Sequence, residues 1–201
     1  MRKVLLIAVL AVASVMAYAQ PRAIGGRLGA FNGVSYEHAI GEHNMIEVEL
    51  GLSIDGYMNI FGKLKNVSIN HLNSGGLNIQ AACTYDWIDP FGATFPTMPK
   101  GEWHWYMGVG GAAGGGWRVT NWTVTQSTGV LTNYQRGWGF IAPAGRVGVE
   151  YDFWFPLQLS LDWRPTVGLA MMDIEDQYND GIHAGVYWEV TSVSLGVRYK
   201  F

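Results

Sequence analysis

Cysteine is almost absent from this 201-residue chain: Cys83 stands alone, so no intramolecular disulfide can form even in an oxidising compartment. A basic excess is missing too. Lys and Arg together number 13 against 16 acidic residues, so a basic nucleic-acid surface is not indicated. Beyond Gln20 no stretch approaches the roughly 18 consecutive apolar residues of a spanning helix. Phosphate-loop, dinucleotide-binding and paired zinc-ligand patterns are lacking as well. No catalytic residue, cofactor or resident metal is therefore assigned.

What is present begins with an export signal. Arg2 and Lys3 precede an apolar stretch from Val4 to Met16, and Ala17-Tyr18-Ala19 supplies small residues for cleavage. Residues 1–19 read as a secretory signal peptide and 20–201 as one domain. An exported chain without a spanning helix can be integral to a membrane only as a closed barrel, because no other sheet satisfies its backbone in lipid.

The last strand carries the clearest pattern. Val193, Leu195, Val197, Tyr199 and Phe201 alternate with Ser192, Ser194, Gly196, Arg198 and Lys200. A strand has a side-chain period of two, so one face is apolar and the other charged. Similar alternation predicts eight strands near 22–31, 33–40, 45–54, 76–88, 102–112, 139–152, 157–169 and 190–201. Asn32-Gly33 reads as the tight turn of the first hairpin. The fold class is all-β: an eight-stranded antiparallel transmembrane β-barrel with both termini periplasmic. Segments 55–75, 113–138 and 170–189, including 182–189, become outer loops, while 41–44, 89–101 and 153–156 become inner turns. Trp117, Trp138 and Phe140 are expected in the outer aromatic girdle, and Tyr85, Trp87, Trp103, Tyr151, Tyr199 and Phe201 in the inner one. A secreted β-sandwich is the competing fold.

Alternation turns Arg27, Glu37, Glu47, Glu49, Asp86, Arg146, Glu150, Asp152, Asp162, Arg164, Arg198 and Lys200 inward. Eight strands enclose only enough space for side chains. Charges held there must pair, so a structural network plugging the lumen is expected ahead of an ion path. Gly33-Val-Ser-Tyr36, Leu159-Ser-Leu-Asp-Trp-Arg-Pro165 and the Tyr-Lys-Phe terminus, with the signal peptide and eight alternating strands, resemble the small outer-membrane β-barrel proteins of Bacteroidetes-type bacteria. The architecture is similar to outer-membrane protein X and to the membrane domain of outer-membrane protein A. That resemblance implies a Gram-negative outer-membrane location, contact with outer-membrane lipid and lipopolysaccharide, and recognition of Tyr199 and Phe201 by the barrel-assembly machinery.

The expected function is non-enzymatic, through the outer loops or as a membrane adaptor with a protein partner. Tyr57, Phe61, Trp117, Trp122, Tyr134 and Trp138 lie in those loops as candidate contacts. Alternatives are a lipid A-modifying enzyme, for which His71 and Ser74 are the candidate base and nucleophile, and a narrow channel or small-solute transporter. The acidic run Asp173, Glu175, Asp176 and Asp180 lacks the order of a calcium loop. Phe201→Ser is expected to lower the amount of folded protein reaching the membrane, measured by surface labelling; unchanged surface levels would contradict the assembly role.

Overall fold

Strands with unlike faces need a sheet that closes, and this chain builds one. The computed structural model describes residues 21–29, 32–64, 67–69, 72–96, 98–126, 129–175 and 180–201; the segment read as a signal peptide lies outside them. The strands are β1 (Pro21–Gly29), β2 (Asn32–Ala39), β3 (Asn44–Leu64), β4 (Val67–Ile69), β5 (Leu72–Ile88), β6 (Gly101–Gln126), β7 (Gly129–Phe153), β8 (Leu157–Trp163), β9 (Thr166–Glu175), β10 (Asp180–Glu189) and β11 (Val193–Lys200). Every pairing among them is antiparallel. The circuit β1–β2–β3–β5–β6–β7–β8–β11 returns to β1, closing an eight-stranded barrel without a free edge. β4 is a short addition against β3.

β8 and β9 are one strand interrupted at residues 164–165. Pro165 has no N–H to donate, but its carbonyl accepts from Gly145 N–H at 2.9 Å, and pairing with β7 resumes in the same register. β10 and β11 are likewise halves of one path, separated by residues 190–192.

The wall is inverted relative to a soluble protein. Leu28, Leu50, Val109, Leu161 and Val197 are exposed on the outside, while Arg27, Glu49, Arg146, Asp162 and Arg198 are buried inside. An apolar exterior around a charged interior is the arrangement hydrocarbon demands. The fold is a transmembrane β-barrel. Pro21 and Phe201, the first and last described residues, lie at one end, where Phe201 N–H donates to the Arg22 carbonyl at 3.2 Å. The turns at 40–43, 89–100 and 154–156 are at this terminal end also.

The far end differs from the expectation of loops at 55–75, 113–138 and 170–189. β3, β5, β6, β7, β9 and β10 continue through most of those segments as strands, and 182–189 belongs to β10 rather than to a loop. β6 alone has 26 residues, about 85 Å of strand at the usual rise, where about 9–11 residues suffice to span. The apolar/polar alternation fades over these segments, and with it the sequence signal for a strand. Asn32-Gly33 is not the first turn either. Both residues lie in β2, where Gly33 pairs with Gly51 and a Cβ on it would stand 2.6 Å from the Gly51 Cα. This glycine serves close strand approach.

The β1–β2 hairpin is short, so above it β3 pairs directly with β10, through Asn59↔Trp188, Ile60↔Tyr187 and Phe61↔Val186. The circuit there is β3–β5–β6–β7–β9–β10. Six strands enclose a narrower bore than eight. Trp138 and Phe140, expected in the outer girdle, are buried inside this neck instead. They share the parity of Arg146 on β7, so the lumen is the face they meet. Phe140 stacks on Tyr187 with ring centroids 4.0 Å apart, and Trp138 stacks on Phe140 at 5.7 Å. Gly114 and Gly116 are their cross-strand partners on β6. A Cβ on Gly114 would meet the Phe140 ring at 2.7 Å and the Ile79 carbonyl at 2.6 Å, so glycine leaves the floor on which the rings lie. Gly114→Val should therefore destabilise the folded barrel by about 1–3 kcal/mol, read from urea midpoints in lipid. Gly111→Ala, whose Cβ meets nothing nearer than the Ala142 carbonyl at 3.7 Å, should leave the midpoint unchanged.

Candidate functional site

The eight-stranded half of the lumen is filled by charge. Its centre is Glu47, projecting from β3. Glu47 Oε1 accepts from Arg27 Nη1 on β1 and Arg198 Nη2 on β11, both at 2.7 Å. Glu47 Oε2 faces Arg146 Nη1 on β7 at 2.8 Å and accepts from Arg164 Nη2 at 2.9 Å. One carboxylate thus ties four other parts of the wall together. Such a site collects positive charge, and the neighbouring acids balance it. Arg164 also donates to Glu49 at 2.5 Å, Arg146 to Asp86 at 2.6 Å, and Arg27 to Asp162. Glu37 stands 3.1 Å from Arg198.

Neutral groups complete the cluster. Arg198 Nε donates to Ser35 Oγ and its Nη1 to Ser160 Oγ, each at 2.8 Å. Arg146 lies over the Tyr106 ring, 4.3 Å from its centroid, and donates to the Tyr106 hydroxyl at 3.0 Å. That hydroxyl in turn donates to Asp162 Oδ2 at 3.3 Å. Thr84 Oγ1 donates to Asp86 at 3.1 Å. The forked donors of arginine suit this multiple sharing of carboxylates.

All twelve charged residues expected to face inward do so. Asp152 and Lys200 pair at 3.1 Å near the terminal mouth, where the Lys200 side chain keeps 29% of its exposure. The other ten are buried. Arg22 was missed by the alternation, which assigns it to the outer face. The β1–β2 register shifts between Pro21 and Ala23, and this bulge turns Arg22 inward to pair with Glu150 and, at 3.3 Å, with Glu37. Tyr106 was missed because only charged residues were collected for the interior; its even parity with Gly108 and Ala112 is the signal that places it inside.

The cluster is capped at both ends. Met45, Ile88 and Tyr106 pack together as a buried floor towards the terminal mouth. Above the charges come Ala82, Ala112, Ala142, Ala144 and Ala170, all buried, and then the aromatic stack. The bore therefore runs from apolar floor to charge cluster to a neck of alanines and stacked rings, where Trp138 Nε1 donates to the buried Asn78 amide oxygen at 3.2 Å.

Other candidates are dispersed. His71 and Asp176 lie outside the described residues, Ser74 lies in β5, and Asp173 and Glu175 lie in β9, where Glu175 pairs with Asp180 of β10 and Asp173 with Ile182. Tyr57 and Phe61 lie in β3, Trp117 and Trp122 in β6, and Tyr134 in β7. Among the described residues no group of His, Cys, Asp and Glu could hold a metal ion. Cys83 is exposed on the outer wall, and Tyr199 and Phe201 are exposed beside the terminal mouth.

Fold and interior together define a closed transmembrane barrel with a charge-filled lumen. No family model matches the chain, and no curated protein sequence is similar to it. A solved structure described as a major outer membrane protein from Thermus thermophilus is similar with a TM-score of 0.46 and 13% identity, covering 90% of this chain and 98% of that one.

Glu47→Gln removes the shared anion and leaves four guanidiniums around a neutral amide. A loss of about 3–5 kcal/mol is expected, measured by urea unfolding in lipid. Lys200→Met, at the hydrated mouth, should cost less than about 1 kcal/mol. Equal effects would show that Glu47 has no central place.

Proposed function

We propose that this protein is a non-conducting outer-membrane barrel whose working surface is the strand-built extension at its far end. The supporting observation is the division of the molecule into a plugged lower barrel and a six-stranded upper tier far longer than a bilayer needs. A lumen filled by paired charges, floored by Met45 and Ile88 and roofed by Trp138, Phe140 and Tyr187, offers no continuous aqueous route. Activity is then carried outside the bore.

The β6–β7 hairpin is the most prominent part of that extension, with cross-strand pairing continuing to Gln126↔Gly129. Its sequence from Arg118 to Gln135 is rich in Thr and Asn, with Trp122 and Tyr134 among them. Uncharged polar groups and aromatics on a paired ribbon suit contact with a protein partner. In this reading the terminal end faces the periplasm, the short turns lie there, and the tall hairpins stand outside the cell. Outer-membrane lipid and lipopolysaccharide surround the wall, and the barrel-assembly machinery reads Tyr199 and Phe201.

Two measurements test the proposal. In planar bilayers the folded barrel should give no reproducible single-channel steps; steady unitary currents would overturn the non-conducting reading. Replacing residues 118–135 by a two-residue turn should leave heat-modifiable migration intact while abolishing co-purification of the partner from native membranes in mild detergent. Retention of the partner would move the working surface elsewhere.

A further inference from the structure

Outside the lumen, the segment after β5 does something the barrel itself does not require. Asp89 and Phe91 take left-handed backbone conformations, with φ of 47° and 63°, followed by Gly92 at 68°. Non-glycine residues hold such angles only where their surroundings enforce them. Here Asp89 N–H donates to the Trp105 carbonyl at 2.8 Å, Asp89 Oδ1 accepts from Trp105 N–H at 3.2 Å, and Asp89 Oδ2 bonds His104 Nδ1 at 2.6 Å. The chain is thereby folded back onto the outside of the wall. Trp105 Nε1 then donates to the Ala93 carbonyl at 2.7 Å, and Phe95 packs at a tilt on Trp103, 6.3 Å between centroids. Residues 93–95 form a strap standing off the barrel surface.

Between this strap and the wall lies a groove of about 570 Å³. Its floor is Val147 and Val149 on β7, Leu161 and Trp163 on β8, and Val193 on β11; Phe95 forms part of its side. The two indole N–H groups that flank it are already used, Trp105 on Ala93 and Trp163 on the Val190 carbonyl at 2.5 Å. Among the described residues, Thr94 is the one polar side chain on the strap side. The groove offers almost only carbon. Its open side runs directly into the exposed apolar wall at Leu195 and Val197.

We propose that this groove holds one acyl chain of a phospholipid from the leaflet at the terminal end of the barrel. The inference rests on the membrane-barrel reading and deepens it, because the lipid is kept by a built feature rather than exchanging freely around the wall. An open, carbon-lined groove continuous with the hydrocarbon-facing surface matches a single alkyl chain, whose transfer into it gains with every methylene buried. A polar ligand would find no free donor on the indoles, and the strap leaves no flat area for a second copy.

The test uses the full-length barrel refolded into vesicles of phosphatidylethanolamine and phosphatidylglycerol, extracted in mild detergent and weighed by native mass spectrometry. Wild type should carry one phospholipid. Val149→Trp, which fills the groove, and Phe95→Ala, which thins the strap at an exposed position, should each lower that one-lipid fraction about tenfold. Leu52→Trp, on a part of the wall outside the groove, should leave it unchanged. A folded, heat-modifiable wild type without lipid would overturn the groove proposal, as would retention by both groove variants or equal loss in Leu52→Trp. A dimer mass that Val149→Trp removes would also overturn it, naming a second copy as the occupant. Protein that stays in aqueous solution without detergent would instead overturn the barrel reading beneath it.

Discussion

Everything inside this barrel is arranged around one carboxylate. Glu47 accepts from or faces four guanidiniums, which reach it from β1, β7, β11 and the break between β8 and β9. No hydrogen-bond ladder between adjacent strands makes such a connection, because these strands are not neighbours of β3. The network supplies the cross-bracing that a core of apolar side chains supplies in a soluble barrel. Burying so many charges is tolerable only because each has partners: an unpaired buried ion costs several kcal/mol, while a paired and hydrogen-bonded one approaches neutrality. The small β6 residues Gly108 and Ala112 leave room for these long side chains to meet near the axis.

The wall responds to chain length in a simple way. Where the β1–β2 hairpin ends, the ring loses two strands and tightens. Its contents change with it, from arginines and carboxylates to alanines and stacked rings. Trp138, Phe140 and Tyr187 fit because Gly114 and Gly116 have no side chains to oppose them. The neck seals the bore, while the long strands around it carry the protein beyond the lipid. One topological step thus separates the eight-stranded, charge-filled tier from the six-stranded tier above it.

Much of this was legible in the amino-acid sequence, and the exceptions have physical causes. Alternation in 76–88, 157–169 and 193–201 located both faces of the corresponding strands, because lipid outside and charge inside force the period to show. The terminal strand is the clearest case, with Val193, Leu195, Val197 and Tyr199 outside and Ser194 and Arg198 inside. Arg22 escaped because a single bulge changes parity. Trp138 and Phe140 were read as interface anchors from residue type alone, although their even parity with Arg146 and the facing glycines place them in the neck. The far-end strands were read as loops because their sequence does not sustain the apolar and polar alternation seen lower in the wall. The strap at 93–95 had no sequence signal, since it depends on left-handed angles at Asp89 and Phe91 that their residue types do not announce.

The lumen is a buried, cross-braced charge cluster. Nitrogen-15 labelling of arginine, followed by NMR of the folded barrel in lipid, observes it directly. If the account holds, Arg27, Arg146, Arg164 and Arg198 give separate guanidinium signals whose Nη protons exchange slowly with water, since each is fixed to Glu47 and its neighbours. A set of averaged, rapidly exchanging guanidinium signals like those of solvent-exposed arginine would contradict it.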